Sequence, residues 1–502
     1  MSFKKMPALR IGNWEADIPI VQGGMGVGIS LSGLASAVAN TGGIGVIATA
    51  GIGQFEPDWD TNSKEADKRA LQREIRKAKA KTDGIIGVNI MVAVSDFDDL
   101  VQCAVEEGAN VLFLGAGLPI RLPETLPLDK LGELPTKFVP IISSARAAKI
   151  IFRSWAKQFD HIPDAVVVEG PLAGGHLGFK NEQINDPDYV LEKILPEVIS
   201  VIKPYEEQFN KSIPVIAAGG IYTGADIRKF MQLGAHAVQL GTRFVGTYEC
   251  DASLEFKEAY LRCEKDDIVI IDSPVGLPGR AILNKFLERI SSGVKESFKC
   301  PWKCLRTCDF KNVPYCIAHA LTNAKKGNME EGFAFAGANA YRVDKIISVK
   351  ELFETLIEEY GCSNAAVDAG QKVDIEHFRQ ILLKKRQEII GNVSEIEEEA
   401  LKASDGDISN MPIHMADAGT DSYEQEFALG LMDNERKLLR EIEDALGRIE
   451  QKTYGTCEAT GAPISKARLE AKPWARYCFE YARKLEQGLV IEQEQDEEGA
   501  SL

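Results

Sequence analysis

IPVIAAGGIYTG (213–224), ADIRKFMQLGA (225–235) and HAVQLGTRF (236–244) follow one another without a gap. The outer two open with Val- and Ile-containing runs that end in glycine; the middle one has helical spacing and ends in Leu-Gly-Ala. Neither apolar run alternates with polar residues, as expected of a strand covered on both faces. Strand, helix and strand in this order predict a parallel unit, with glycine where each strand ends. Working outward, six more such runs precede it: IPIVQ (18–22), IGVIAT (44–49), IIGVNIMV (85–92), VLFLG (111–115), FVPIIS (138–143) and AVVVEG (165–170). Helical patterns such as LSGLASAVANTGG separate them, several ending at a glycine C-cap. Eight strand–helix units before residue 290 predict an α/β fold of the (β/α)8 barrel type, with a site on the loops that follow the strands. A doubly wound sheet is the alternative. Against it, GGMGVG (23–28) follows the first strand but no acidic residue stands at the ribose-binding distance.

The chain has 502 residues and a net charge of −17. That length calls for more than one domain. The charge argues against nucleic acid or an anionic membrane as a partner of the whole surface, so direct DNA binding is not expected. MSFKKMPALRIGNW lacks the apolar core of a secretory signal. No uncharged apolar run reaches the roughly 18 residues of a membrane span. A cytoplasmic protein is expected, with its ten cysteines as thiols or metal ligands.

Three glycine loops fall after strands one, seven and eight: QGGMGVG (22–28), AAGGIYTG (217–224) and QLGTRF (239–244). In a barrel the last two form a phosphate site from main-chain N–H groups that side chains would obstruct. Any one loop alone is equally well a tight turn; the three in register point to a phosphorylated cofactor. A fourth loop, GPLAGGHLGF (170–179), places His176, one of six histidines, among glycines after strand six. Imidazole exchanges a proton near neutral pH; a histidine that only bonds a loop carbonyl would read the same.

PIVQGGMGVG, GVNI (87–90), EGPLAGGHLG, IPVIAAGGI, AVQLGTRF and SPVGLPGRAI (273–282) together resemble the nitronate monooxygenase / 2-nitropropane dioxygenase family, which includes the flavin-type enoyl-ACP reductases. The resemblance implies a TIM barrel holding FMN without a covalent bond. It implies that Gly24 and Met25 face the isoalloxazine ring, that Asn89 bonds it, and that Gly219, Gly220, Gln239, Leu240, Gly241 and Thr242 hold the phosphate. It also implies that His176 stands at the flavin face and assists the substrate. Two reactions are then open. One is oxidation of a nitronate with O2 to a carbonyl and nitrite; the other is reduction of an enoyl-type acceptor by NAD(P)H through the flavin.

FKCPWKCLRTCDFKNVPYC (298–316) spaces Cys300, Cys304, Cys308 and Cys316 as C-x3-C-x3-C-x7-C. On a helix the first three line one face, with Cys316 folding back. Four thiols this close predict an Fe–S cluster or Zn, or else a thiol-rich cap on the barrel. Residues 346–365 read as one further helix.

Beyond SNAAVDAGQK (363–372) the pattern changes. IEHFRQILLKKRQEII carries Ile375, Phe378 and Leu382 on one stripe, and a second helix carries Phe427, Leu431, Leu438, Ile442, Ala445 and Ile449. They predict a coiled-coil hairpin. With YGTCEATGAPISKARLEAKPWARYC (454–478), this half resembles the DksA/TraR family. That resemblance implies a hairpin with an acidic tip, a four-cysteine zinc finger at its base, and RNA polymerase as partner. Asp405, Asp407, Asp417 and Asp421 are the tip candidates, though ordinary solvated carboxylates would read the same. The finger departs from the family: Cys457 and Cys478 are present, but Thr460 and Tyr481 take the other two places. No stable zinc is expected there, because structural zinc takes four N or S donors, and packing of Ile464, Leu469, Trp474 and Phe479 has to hold the base. The resulting division is an FMN barrel over 1–362, a linker over 363–373, the hairpin with its degenerate finger over 374–485, and an acidic tail over 486–502.

Overall fold

A computed structural model describes residues 6–298, 300, 304–306, 308–362, 375–404, 438–451, 453–461, 464, 466–478, 481–482 and 485. The chain divides into two compact units, one running to Ala366 and the other starting at Val367.

In the first unit eight parallel strands form the barrel: β1 Ile20–Gln22, β2 Gly45–Ala48, β3 Ile86–Met91, β4 Val111–Gly115, β5 Lys137–Ile142, β6 Val166–Glu169, β7 Val215–Ala218 and β8 Ala237–Leu240. Each pairs with its neighbour in sequence from β2 to β8, and β8 pairs with β1. The ring closes where Val21 bridges Ile44, with Ile44 N–H donating to Ile20 O at 3.0 Å and Gln22 N–H to Ile44 O at 2.9 Å. This closure excludes the doubly wound sheet. Inward residues alternate along each strand, and Val21, Val46, Phe113, Val139, Val167, Ile216 and Ala237 meet in one core. An N-terminal hairpin, Leu9–Ile11 with Trp14–Ala16, plugs the end where the strands begin. Trp14 Nε1–H donates to Pro135 O at 2.8 Å there.

Helices α1 Ser32–Asn40, α2 Ser63–Lys79, α3 Phe97–Glu106, α4 Ala145–Phe159, α5 Leu191–Phe209, α6 Gly224–Gln232 and α7 Val349–Cys362 cover the outside. Two units differ from the regular pattern. Between β4 and β5 stands a 3-10 segment, Leu128–Glu133, in place of an α-helix. After β8 the chain makes an excursion from about 246 to 348 before α7, the further helix expected at 346–365, takes the eighth outer position against α1 and α6.

The second unit contains a 30-residue helix, Ile375–Ser404, and helical residues 438–450. Phe378, Leu382, Ile389, Ile442 and Ala445 form its core with Tyr454, Cys457, Ile464 and Leu469. Ile375, expected on the buried stripe, is exposed; it is the first helical residue, ahead of the contact with the partner helix. Phe427, Leu431, Phe479, the four tip aspartates and the linker lie outside the described residues.

The approach of α1 to β2 is set by one glycine. A Cβ on Gly45 would lie 1.8 Å from Ala35 O. Gly45→Ala is expected to cost about 3 kcal/mol, read as a lower denaturation midpoint of the barrel unit; an unchanged midpoint would contradict this packing.

Candidate active site at the barrel mouth

The loops after the strands converge on the mouth. Inward alternation from Val167 puts Glu169 in one row with Ala218, its register partner on β7, and with Gln239, the partner of Ala218 on β8. Gly23 N–H donates to Leu240 O at 2.8 Å, carrying the first glycine loop beside the last strand. Met25 is fixed by Ser30, whose hydroxyl accepts from Met25 N–H at 2.9 Å and donates to Met25 O at 3.1 Å.

Several of the expected residues are brought together. A Cβ on Gly24 would stand 2.3 Å from Asn89 Cβ, so only glycine leaves the Asn89 amide its place. Asn89 Nδ2–H donates to Phe113 O at 3.2 Å, which orients that amide. A Cβ built on Gly241 would meet Met25 Sδ at 3.8 Å. Gly219 and Gly220 have φ of +93° and +83°, in the left-handed region that favours glycine. A Cβ on Gly219 would lie 2.8 Å from Gly170 O. Thr242 opens a short helix, Thr242–Val245, and its hydroxyl accepts from Gly337 N–H at 3.2 Å. A bare glycine edge beside an oriented amide, with glycine turns at the ends of β7 and β8, fits a flat ring carrying a phosphate.

The excursion after β8 completes the mouth. Its ribbon, Ile268–Asp272 with Pro278–Ile282, takes Gly175–His176 as a third strand, with His176 opposite Gly279. His176 Nε2 lies 2.7 Å from Ser273 Oγ, and its ring meets Phe335 edge-on at 4.9 Å. Arg280, buried, donates to Pro171 O at 2.5 Å and Ala173 O at 2.6 Å, so a cation pins the glycine loop. Burial lowers its pKa to about 10, which leaves it charged at neutral pH. Gly174 lies flush on Ala336 and Gly337, and Asn339 Nδ2–H donates to Gly220 O at 2.7 Å. Segment 333–341 thus ties the histidine loop to the β7 and β8 loops.

Two titrating groups stand out. Burial lowers the His176 pKa to about 4, so the imidazole is neutral at pH 7. Burial raises Glu169 to about 7. Sequence reasoning missed Glu169, Ser273, Arg280, Phe335 and Asn339. The available signals were a carboxylate closing an otherwise apolar strand and the Arg inside SPVGLPGRAI.

Cys300, Cys304, Cys308 and Cys316 are brought near one another, but not by a helical face. Around Cys304 the main chain forms an antiparallel bridge, Leu305 to Val94, which takes the hydrogen bonds a helix would use. Burial, and then the neighbouring thiols, pushes the Cys304 thiol up to about 12. Among the described residues no three His, Cys, Asp or Glu side chains stand in the arrangement of a bound ion. In the second unit Thr460 Oγ1 lies 3.6 Å from Cys478 Sγ, and Tyr481 packs on Tyr477.

A closed barrel with glycine loops after β1, β7 and β8 and a histidine strand over its mouth defines a flavin-type barrel oxidoreductase. Residues 10–359, more than half of the chain, match the family described as nitronate monooxygenase, and the chain belongs to that family. Residues 374–449 match the N-terminal domain of the DnaK suppressor protein DksA, and residues 452–487 the prokaryotic dksA/traR C4-type zinc finger. A (3aS,4S,5R,7aS)-5-hydroxy-7a-methyl-1-oxo-octahydro-1H-indene-4-carboxyl-CoA dehydrogenase of Mycobacterium tuberculosis is 26% identical, over 68% of this chain and 92% of its own. A probable nitronate monooxygenase of Staphylococcus saprophyticus is also 26% identical, over 68% of this chain and 94% of its own. The solved structure of FabK from Thermotoga maritima is 29% identical, with a TM-score of 0.52 over 68% of this chain and 92% of that one. Among the described residues no helix is long and apolar enough to cross a membrane.

Stability tests the burial of Glu169. Its folded pKa is above the ordinary 4.5, so the folded state holds the proton more tightly and stability falls as pH rises from about 4.5 to about 7. Glu169→Gln is expected to stabilise the flavin-free protein by about 2 kcal/mol at pH 8 and not at pH 4. Equal melting shifts at the two pH values would contradict it.

Proposed function

We propose that the first unit is an FMN-dependent oxidoreductase that oxidises alkyl nitronates, with His176 handling the substrate proton. Family membership and the paired approach of Gly24 to Asn89 support the cofactor. In this reading Gly24, Met25 and Asn89 meet the ring, and Gly219, Gly220, Gln239, Leu240, Gly241 and Thr242 hold the phosphate. Bound FMN supplies the electron acceptor. The observation that carries the direction of the reaction is His176. Its imidazole is neutral and half-buried, and Nε2 faces a serine hydroxyl rather than a carboxylate. A neutral imidazole can accept the proton that a neutral nitroalkane loses in becoming its nitronate; the preformed nitronate needs no such step. The Ser273 hydroxyl holds the ring in place, and Phe335 shields its edge. The Arg280 guanidinium donates to the Pro171 and Ala173 carbonyls, which leaves positive charge under the loop that an anionic nitronate would approach.

A second reading is kept because one relative is named as a carboxyl-CoA dehydrogenase. There the same mouth would take an acyl thioester or enoyl-type acceptor, with NAD(P)H as electron donor. For the second unit the DksA-type match supports RNA polymerase as a partner, and a polymerase partner is consistent with a cytoplasmic protein. Loss of polymerase capture by full-length protein on changing Asp405, Asp407, Asp417 and Asp421 to Asn is the expected result. Capture unaffected by these changes would count against the tip.

His176→Ala is expected to lower kcat/KM for a neutral nitroalkane about 100-fold or more, and less for the preformed nitronate, with flavin content unchanged. Under anaerobic conditions the nitronate is expected to bleach the flavin. Bleaching by NADH with none by propionate 3-nitronate would replace this reading with the second.

A further inference from the structure

Two contacts of different kinds hold His176 over the mouth. Among the described residues its ring has one hydrogen-bond partner, Ser273 Oγ, at 2.7 Å. One hydrogen bond fixes a point and leaves the ring free to swing about it. The second contact is the Phe335 ring, edge-on at 4.9 Å with 65° between the planes. Whatever places the Phe335 ring therefore sets the plane of the imidazole.

Phe335 lies along the ribbon strand that also pairs with His176. Ile282 N–H donates to Ala334 O at 3.0 Å and Ala336 N–H to Arg280 O at 3.0 Å, with Phe335 opposite Ala281. In such an antiparallel ladder the main-chain groups of the middle residue face away from the partner strand. Phe335 O thus has no partner on the ribbon. Tyr260, on the helix Leu254–Arg262, supplies one: its hydroxyl donates to Phe335 O at 2.5 Å. Tyr260 is buried, and burial first, then Cys250 and Cys263, pushes its hydroxyl above the ordinary range, so it stays a donor. Without that donor the carbonyl would be stranded away from water. The Phe335 ring is closed in by Phe333, at 5.1 Å, and by Gly279, where a Cβ would come within 2.8 Å of Phe335 Cε1. Gly279 is itself the register partner of His176.

We propose that Tyr260 is a positioning residue for His176 that acts through Phe335. Its hydroxyl fastens the Phe335 main chain, and the Phe335 ring then holds the imidazole in one plane about its bond to Ser273. The inference rests on the proton role proposed for His176. The effect is one of orientation: removing the hydroxyl leaves every residue assigned to the flavin in place and loosens the plane of a single ring. Such a loss lowers turnover without changing cofactor content.

The test is Tyr260→Phe in the full chain, which removes one oxygen atom. The first readout is the His176 Cε1–H line in the NMR spectrum of protein carrying isotope-labelled histidine, assigned by its loss in His176→Ala. A single line is expected in the unaltered chain and a broadened or doubled one in Tyr260→Phe, with flavin content unchanged. The second readout is kinetic. Tyr260→Phe is expected to lower kcat for a neutral nitroalkane about tenfold with KM unchanged, and to have no further effect in His176→Ala. An unchanged histidine line in Tyr260→Phe, or an equal loss of rate with and without His176, would overturn the proposal. A chain that turns over no nitroalkane contradicts the proposed reaction, and the histidine line still decides this inference. Should Tyr260→Phe fail to fold, Phe335→Leu is expected to broaden or double the same line; a single sharp line there would overturn the proposal too.

Discussion

The barrel closes through a seam only three residues wide. β1 is short, and Gln22, fully buried at its end, spans the gap: Nε2–H donates to Gly23 O at 2.5 Å, and Oε1 accepts from Val46 N–H at 2.9 Å. A buried amide that meets main-chain groups on both sides is worth more than its net hydrogen-bond energy, because losing it strands those groups away from water. The first glycine loop starts directly after this seam. Its register therefore fixes where Gly24 meets Asn89 and where Met25 meets Gly241.

The mouth depends on a second constraint, supplied from far along the chain. The glycine loop that carries His176 has no core of its own. It is held by a buried arginine from more than a hundred residues away, by the ribbon strand that pairs with His176, and by segment 333–341. Glycine at 174 and 175 allows that contact. Gly174 has no room for a Cβ against Ala336 and Gly337, and Gly175 sits at φ +75°. The loop is thus permissive in sequence and rigid in place, as the role proposed for His176 requires.

The strands were legible because each is covered on both faces and so appears as an unbroken apolar run. The glycine loops were legible because their position after β1, β7 and β8 has a physical reason. What could not be read was anything set by the excursion after β8. Ser273, Arg280 and Asn339 become neighbours of the mouth only through the return of about one hundred residues. The cysteine spacing pointed to a helix, yet the chain at Cys304 found hydrogen-bond partners on the β3 loop instead. Ile375 fits the helical stripe but precedes the contact that buries the stripe. In each case the local pattern was sound and a distant segment decided the outcome.

The central claim is that the barrel mouth is a flavin site. The measurement that tests it most directly is the cofactor released when purified full-length protein is denatured. The account predicts about one FMN per chain, and Gly219→Val, which places a side chain against Gly170, releasing almost none. Protein that carries no FMN and takes up none on reconstitution would contradict it.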